Sequence, residues 1–117
     1  MRRDELRLLD MLEHIDSALL AVKDKARLDF DADPTLQKAI QYDLLTAGEA
    51  ASRISKSLQS KYSQVSWKEI CGIRTFLAHE YFSIDLDIIW QTATVDLTPL
   101  GSQIEGILKA EFPDEIA

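Results

Sequence analysis

The sequence contains a single cysteine, Cys71, among its 117 residues, so no disulfide can form within the chain. Cys71 lies between Ile70 and Ile73 with no second thiol or adjacent base, and we interpret it as a small core residue. No apolar run reaches the length of a membrane span. The first five residues, MRRDE, also lack the apolar segment of a signal peptide. We therefore expect a cytoplasmic protein.

Histidine is equally scarce, with two residues, His14 and His79. No cluster of His, Cys, Asp or Glu has the spacing of metal ligands, so we expect neither a metal nor another cofactor. His14 has no partner visible in the sequence and is interpreted as a surface residue. The length fits one domain, residues 1–117, with a single core.

Apolar residues recur at alternating steps of four and three along two segments, which is the spacing of one helical face. The first set is Leu8, Leu12, Ile15, Leu19 and Val22, and the second is Ile40, Leu44, Ala47, Ala51, Ile54 and Leu58. Between the sets, Asp33 fits an N-cap and Pro34 fits the first turn of the second helix. The spacing thus predicts two amphipathic helices, the second continuing to Leu58.

Two further helices are predicted after residue 65. Ser66 and Glu69 have the spacing of a capping box, which predicts the start of a third helix. A fourth begins near residues 83–85, and Pro99 should kink or divide it because proline lacks a backbone donor. The expected fold is all-α, an antiparallel four-helix bundle, or five helices if Pro99 divides the last.

Near the end of the predicted third helix is a run of residues whose side chains are suited to catalysis: Gly72-Ile73-Arg74-Thr75-Phe76-Leu77-Ala78-His79-Glu80-Tyr81-Phe82. Arg74 supplies a fixed cation, His79 a group that titrates near neutral pH and Tyr81 a phenol. On a straight helix, positions 74 and 79 are about 140° apart. Three arrangements would bring the two groups together: the Arg74 side chain bends along the helix surface, the helix ends near His79, or a twofold dimer pairs the motifs of two protomers. The spacing leaves all three open.

This run resembles the signature of the HepT toxins, the ribonuclease half of a bacterial toxin–antitoxin pair within the HEPN superfamily. That signature is Arg, four residues, His, one residue, Tyr. The likeness extends to residues 47–51, 65–67 and 85–90. One departure is Thr75, where the family often has asparagine; its hydroxyl offers at most a supporting role.

The resemblance implies a metal-independent endoribonuclease of a type VII-like toxin–antitoxin pair. Arg74 and His79 would be catalytic in a homodimer, and the substrate would be an RNA such as a tRNA or an mRNA. It also implies that a MntA-like nucleotidyltransferase antitoxin silences the toxin by adding AMP to Tyr81. The added charge and bulk would lie where the substrate phosphate must bind.

The net charge of −7 at first argues against an RNA-binding protein, but the charge is unevenly distributed. Residues 34–74 carry six Lys or Arg against three acids, whereas residues 75–117 carry one Lys against eight acids. This asymmetry is compatible with a basic track for RNA, for which Arg53 and Lys56 are candidates. For each lysine taken singly, a solvated helix face explains the charge equally well.

Two other functions remain open at this point. The chain would be a non-catalytic helical subunit that binds substrate for a separate nucleotidyltransferase, or a structural bundle whose dimer face is its function. In both cases His79 would have a structural role, such as capping the end of the third helix.

Overall fold

A computed structural model of the chain describes residues 2–79 and 85–113, and for residues 2 and 74–79 it describes the backbone alone. The helices are α1 (Arg2–Val22), α2 (Arg27–Asp31), α3 (Pro34–Ser52), α4 (Lys56–Lys61), α5 (Trp67–His79), α6 (Leu86–Gln91) and α7 (Leu97–Glu111). A π-helical turn, Thr92–Asp96, joins α6 to α7. The expected all-α bundle is confirmed, with α1, α3, α5 and the α6–α7 segment as its four long members. None of the described helices is long and apolar enough to cross a membrane.

Helix α1 lies at the centre of the packing and contacts both α3 and α7. Asp4, near the start of α1, bonds to Ser55 just after α3, whereas His14, further along α1, bonds to Asp43 in the middle of α3. The two helices are therefore antiparallel. The buried face of α1 is formed by Leu8, Met11, Ile15, Ala18 and Val22. It overlaps the predicted stripe but is rotated slightly, since Leu12 and Leu19 are only partly buried.

The start of α3 follows the sequence prediction. The Asp33 carboxylate accepts a hydrogen bond from the Leu36 N–H at 3.0 Å, and Pro34 is the first helical residue. The preceding helix, α2, is attached to α6 by Arg27, whose Nη2 lies 2.6 Å from Asp87 Oδ1. These contacts fix the connection between α1 and α3 against the last helical segment.

The apolar stripe predicted that the second helix continues to Leu58, and this prediction is wrong. The helix ends at Ser52, and α4 begins at Lys56 after a break at residues 53–55. Ser55 explains the break, because its side chain accepts from the Leu58 N–H and so caps a new helix. Ile54 and Leu58 nevertheless remain buried, which is why the hydrophobic spacing did not reveal the interruption.

The division of the last helix lies upstream of Pro99. Pro99 is the third residue of α7, and the irregularity is the π-helical turn at Thr92–Asp96, where the Leu97 N–H donates to the Thr92 carbonyl. A π turn accommodates extra backbone without ending the helical path. The last helical segment therefore changes helix type three to seven residues before the proline, and Pro99 itself lies within α7.

Candidate functional site

Helix α5 carries the run of residues that the sequence singled out. It begins at Trp67, which is 7% exposed and whose Nε1 donates to the Tyr62 carbonyl at 3.0 Å. The first helical bond joins the Ile70 N–H to the Ser66 carbonyl at 3.1 Å. This buried tryptophan fixes where α5 starts and so sets the register of every position that follows. Trp67 is therefore a core residue that anchors the start of α5.

The helix includes positions 74, 75 and 79, which are the predicted catalytic residues Arg74, Thr75 and His79. Their side chains lie outside the described part of the structure, as does the whole of Tyr81. What the backbone gives is their register on α5. With about 100° per residue, positions 75 and 79 share a face with Lys68, whereas position 74 lies about 120° round from Lys68.

An open groove of about 690 Å³ lies between α4 and the first turns of α5. We call it the α4–α5 groove. Its polar lining residues include Lys56, Gln59, Ser60, Ser63, Ser66 and Lys68. Cys71 also lines it, so the groove follows α5 to within one turn of position 74. Cys71 is partly buried against the core, in agreement with its predicted role as a small packing residue.

The two residues predicted to contact RNA are in different settings. Lys56 lines the α4–α5 groove and has no acidic partner among the described residues. Arg53, which directly follows α3, is paired with that helix, since its Nε lies 3.1 Å from Glu49 Oε2. The structure therefore places Lys56 beside the motif helix and does not bring Arg53 into the groove lining.

Lys68 was not a predicted site residue, although it lines the same groove as Lys56. A signal for it exists in the sequence, since no acidic residue lies between Glu49 and Glu69. The remaining lysine of that stretch, Lys61, is bound to Glu111 Oε2 at 2.8 Å. Lys56 and Lys68 are thus the two lysines of this region that have no carboxylate partner among the described residues.

A second cavity, of about 330 Å³, lies on the other side of α5. Helix α5 packs on α3 and leaves a cleft toward α7, bordered by Ile70, Ile73, Leu97 and Leu100. The cavity is mainly apolar, and Glu69 lies at the border of both it and the groove. Helix α5 therefore separates an apolar cleft from a polar, lysine-bearing groove.

The other histidine, His14, lies on the surface between α1 and α3. Its Nδ1 is 2.9 Å from Asp43 Oδ1, and the Tyr42 ring meets it edge-on at 5.7 Å between centroids. The His14 side chain is 17% exposed, and its partner, which the sequence did not reveal, is Asp43. Asp43 is 29 residues away along the chain, and only the antiparallel packing of α1 on α3 brings the pair together.

The chain is thus a small helical bundle whose third long helix, α5, carries positions 74 and 79 of the Arg-x4-His-x-Tyr run. A family model described as "Ribonuclease HepT-like" matches residues 9–107. The chain belongs to the HepT-like ribonuclease family.

Three relatives illustrate this membership. "Putative RNase TTE0752" of Caldanaerobacter subterraneus subsp. tengcongensis is 38% identical over 104 residues, which are 86% of this chain and 93% of the relative. "Putative RNase MJ1216" of Methanocaldococcus jannaschii is 30% identical over 87% of this chain and 84% of its own length. "Probable ribonuclease HepT" of Thermococcus cleftensis is 29% identical over 86% of this chain and 94% of its own length. No solved structure gives a significant match.

Proposed function

We propose that this protein is a metal-independent endoribonuclease and the toxin of a toxin–antitoxin pair. The observation that carries the proposal is the placement of the Arg74-x4-His79 motif on α5, in a chain that belongs to the HepT-like ribonuclease family. The names of the three relatives support RNA as the substrate. The α4–α5 groove beside the motif supplies polar and cationic groups suited to a phosphate backbone.

The proposed reaction uses a nucleophile that RNA itself carries. His79 removes the proton from a 2′-OH, and the 2′ oxygen then forms a bond to the adjacent phosphorus. The bond from phosphorus to the 5′ oxygen breaks, and that oxygen takes a proton from a general acid. The products are a 2′,3′-cyclic phosphate and a 5′-OH. Arg74 binds the phosphate oxygens in a forked grip and stabilises the charge that develops on them.

A homodimer would supply both the acid and the base. Each chain contributes one motif histidine, while the reaction needs one group to accept a proton and another to donate one. The register of α5 supports a shared site, because positions 74 and 79 are about 140° apart on a regular helix. Across a twofold axis, the arginine of one protomer would meet the histidine of the other. Thr75, which shares a face with position 79, would add a hydroxyl to the same site.

Regulation would act through Tyr81. In this proposal a nucleotidyltransferase antitoxin transfers AMP from ATP to the phenol: the tyrosine oxygen bonds to the α-phosphorus, pyrophosphate leaves and the phenolic proton is released. The new phosphodiester carries negative charge and would repel the RNA phosphate from Arg74 and His79. Modification would therefore block substrate binding and leave the helical bundle intact.

The test is cleavage of total RNA in EDTA by unmodified protein, verified as free of AMP by mass spectrometry. We expect cuts that end in cyclic phosphate, and a loss of rate of about 10²- to 10⁴-fold in His79→Ala. His14→Gln is the matched control, because it removes the only other histidine and keeps a donor for Asp43. Equal cleavage by wild type and His79→Ala, in preparations free of host ribonuclease, would refute the catalytic role.

The same experiment addresses the alternative that the chain is a non-catalytic substrate-binding subunit of a two-component nucleotidyltransferase. That function predicts no cleavage by the unmodified protein under any of these conditions. Copurification with a nucleotidyltransferase is expected in both cases and does not separate them. Cleavage that depends on His79 would exclude the non-catalytic subunit.

A further inference from the structure

The α4–α5 groove has a composition that differs from the rest of this acidic chain. Residues 50–68 contain no acid but carry Arg53, Lys56, Lys61 and Lys68, in a protein whose net charge is −7. The same region is rich in serine, at positions Ser52, Ser55, Ser57, Ser60, Ser63 and Ser66. Lysine and serine side chains together supply the donors that phosphate oxygens accept. A chain that repels polyanions overall therefore has one region that attracts them.

The contacts of these residues show which side chains are already bound to other protein groups and which are free to bind a ligand. Arg53 is paired with Glu49 and Lys61 with Glu111, and Ser55 is engaged by Asp4. In contrast, Ser60, Ser63 and Ser66 are exposed, and their hydroxyls make no hydrogen bond to another described residue.

Lys56 and Lys68 are likewise exposed and have no acidic partner within ion-pair distance among the described residues. The unengaged donors are thus the ones that line the groove. Glu69 is the acidic residue at its border, where it also borders the apolar cleft behind α5.

The groove is also aligned with the motif. Its wall on α5 includes Lys68 and Cys71, which lie about 60° apart around the helix axis. In the same register, position 75 is about 20° from Lys68 on one side and position 79 about 20° on the other. Position 74 lies about 60° beyond Cys71. The side of α5 that lines the groove therefore lies, around the helix axis, between the directions of positions 74 and 79, which are one to two turns further along the helix.

We infer that the α4–α5 groove binds the phosphate backbone of single-stranded RNA, with Lys56 and Lys68 as its phosphate contacts and Ser60 and Ser63 as additional donors. This inference rests on the proposed function, since it names the path by which RNA reaches the site on α5. Among the described residues that line the groove, Trp67 is the aromatic one, and it is only 7% exposed with its Nε1 donating to the Tyr62 carbonyl, so its ring is not free to stack on a base. Binding should thus depend on the backbone and little on base sequence.

The experiment measures RNA binding without cleavage. A labelled single-stranded RNA oligonucleotide is titrated with His79→Ala protein and with the same protein carrying Lys56→Gln and Lys68→Gln, over a range of salt concentrations. We expect the lysine variant to bind roughly tenfold more weakly at low salt. The slope of log affinity against log salt should fall in magnitude by about 1.4, the value for two phosphate contacts on a single strand.

A matched control carries Lys23→Gln and Lys25→Gln. These two substitutions remove the same charge at exposed lysines that follow α1. That variant should keep the affinity and the salt slope of the parent. An equal loss in both double variants would mean that only net charge matters, and no loss in the groove variant would also overturn the inference. Absence of any RNA binding by the parent would do the same.

The outcomes remain distinguishable from those of the nuclease test. Binding through the groove by a wild-type protein that never cuts RNA would refute the nuclease and leave the groove intact. Cleavage that depends on His79, with equal KM in wild type and in Lys56→Gln/Lys68→Gln, would refute the groove and leave the nuclease. If both hold, the groove variant should raise KM on long RNA with little change in kcat.

Discussion

Helix α4 is tied down at both ends by acids from other helices: Asp4 of α1 binds Ser55 at its start, and Glu111 of α7 binds Lys61 at its end. Asp4 is 3% exposed and accepts from both the Ser55 N–H at 2.8 Å and the Ser55 hydroxyl at 2.6 Å. Ser55 in turn caps α4 by accepting from the Leu58 N–H. The wall of the α4–α5 groove that bears Lys56 is therefore positioned by contacts remote from the groove itself.

The first prediction concerns the Asp4 anchor. Asp4→Ala removes the acceptor of two Ser55 donors in a buried place, so we expect the free energy of unfolding to fall by about 1–3 kcal/mol. Urea unfolding followed by circular dichroism measures this change. Glu13→Ala, at an exposed position of the same helix with no described partner, is the control and should change stability by less than about 0.5 kcal/mol. Equal stability of the two variants would contradict the anchor.

A second prediction concerns the pH dependence of the opposite anchor. Hydrogen bonds from Lys61 and then from the Tyr62 hydroxyl hold the pKa of Glu111 below its ordinary value. A carboxyl whose pKa is lower in the folded state stabilises the fold above its unfolded pKa, about 4.3, and loses this contribution as the pH falls through the folded value. Glu111→Gln should therefore be less stable than wild type at pH 7, and the difference should shrink below about pH 4.

Thermal unfolding of wild type and Glu111→Gln, measured at intervals of about one pH unit from about pH 3 to about pH 8, tests the direction of this change. Glu105→Gln is the control, since Glu105 is an exposed acid on α7 without an ion-pair partner among the described residues. A difference between wild type and Glu111→Gln that is constant across the range would show that the anchor does not depend on ionisation.

The third prediction concerns His14 and Asp43. Asp43 is 6% exposed and receives a hydrogen bond from His14 Nδ1, which must carry the hydrogen because a carboxylate only accepts. His14→Ala leaves this buried carboxylate without that donor and should cost about 1–3 kcal/mol of stability. His14→Gln should restore most of the loss, and RNA cleavage by His14→Gln should equal wild type. A rate loss in His14→Gln would instead assign this histidine to the catalytic site.

The sequence predicted the parts of this fold that depend on local chemistry. The helical stripes of α1 and α3 and the Asp33 cap are local patterns, so periodicity and capping rules were sufficient for them. The break at Ser55 was missed because Ile54 and Leu58 are buried on both sides of it, and hydrophobic spacing cannot distinguish one helix from two in register.

Contacts between distant segments were beyond sequence reasoning for a different reason. Asp4 with Ser55 and His14 with Asp43 are separated by 51 and 29 residues, and each pairing depends on how α1 is rotated against α3. The motif on α5 was found through its spacing, and Lys56 through local charge. Lys68 was missed because the acid-free stretch around it did not show that it lines the same groove as Lys56, which depends on where α4 lies relative to α5.

The last prediction separates the charge of Arg74 from its geometry. A guanidinium can make two parallel hydrogen bonds to a phosphate, whereas an ammonium acts as a point charge. If Arg74 stabilises charge on the phosphate oxygens in the transition state, Arg74→Lys should keep RNA affinity and its salt dependence but lower kcat about 10²-fold. Arg53→Lys is the matched control, because Arg53 is paired with Glu49 and lies outside the groove lining; it should leave kcat unchanged. The measurement is single-turnover cleavage of one RNA oligonucleotide over a range of enzyme concentrations up to saturation, which gives both the affinity and the maximal rate. A weaker affinity with normal kcat in Arg74→Lys would make Arg74 a binding residue of the groove, while full activity would remove it from the site.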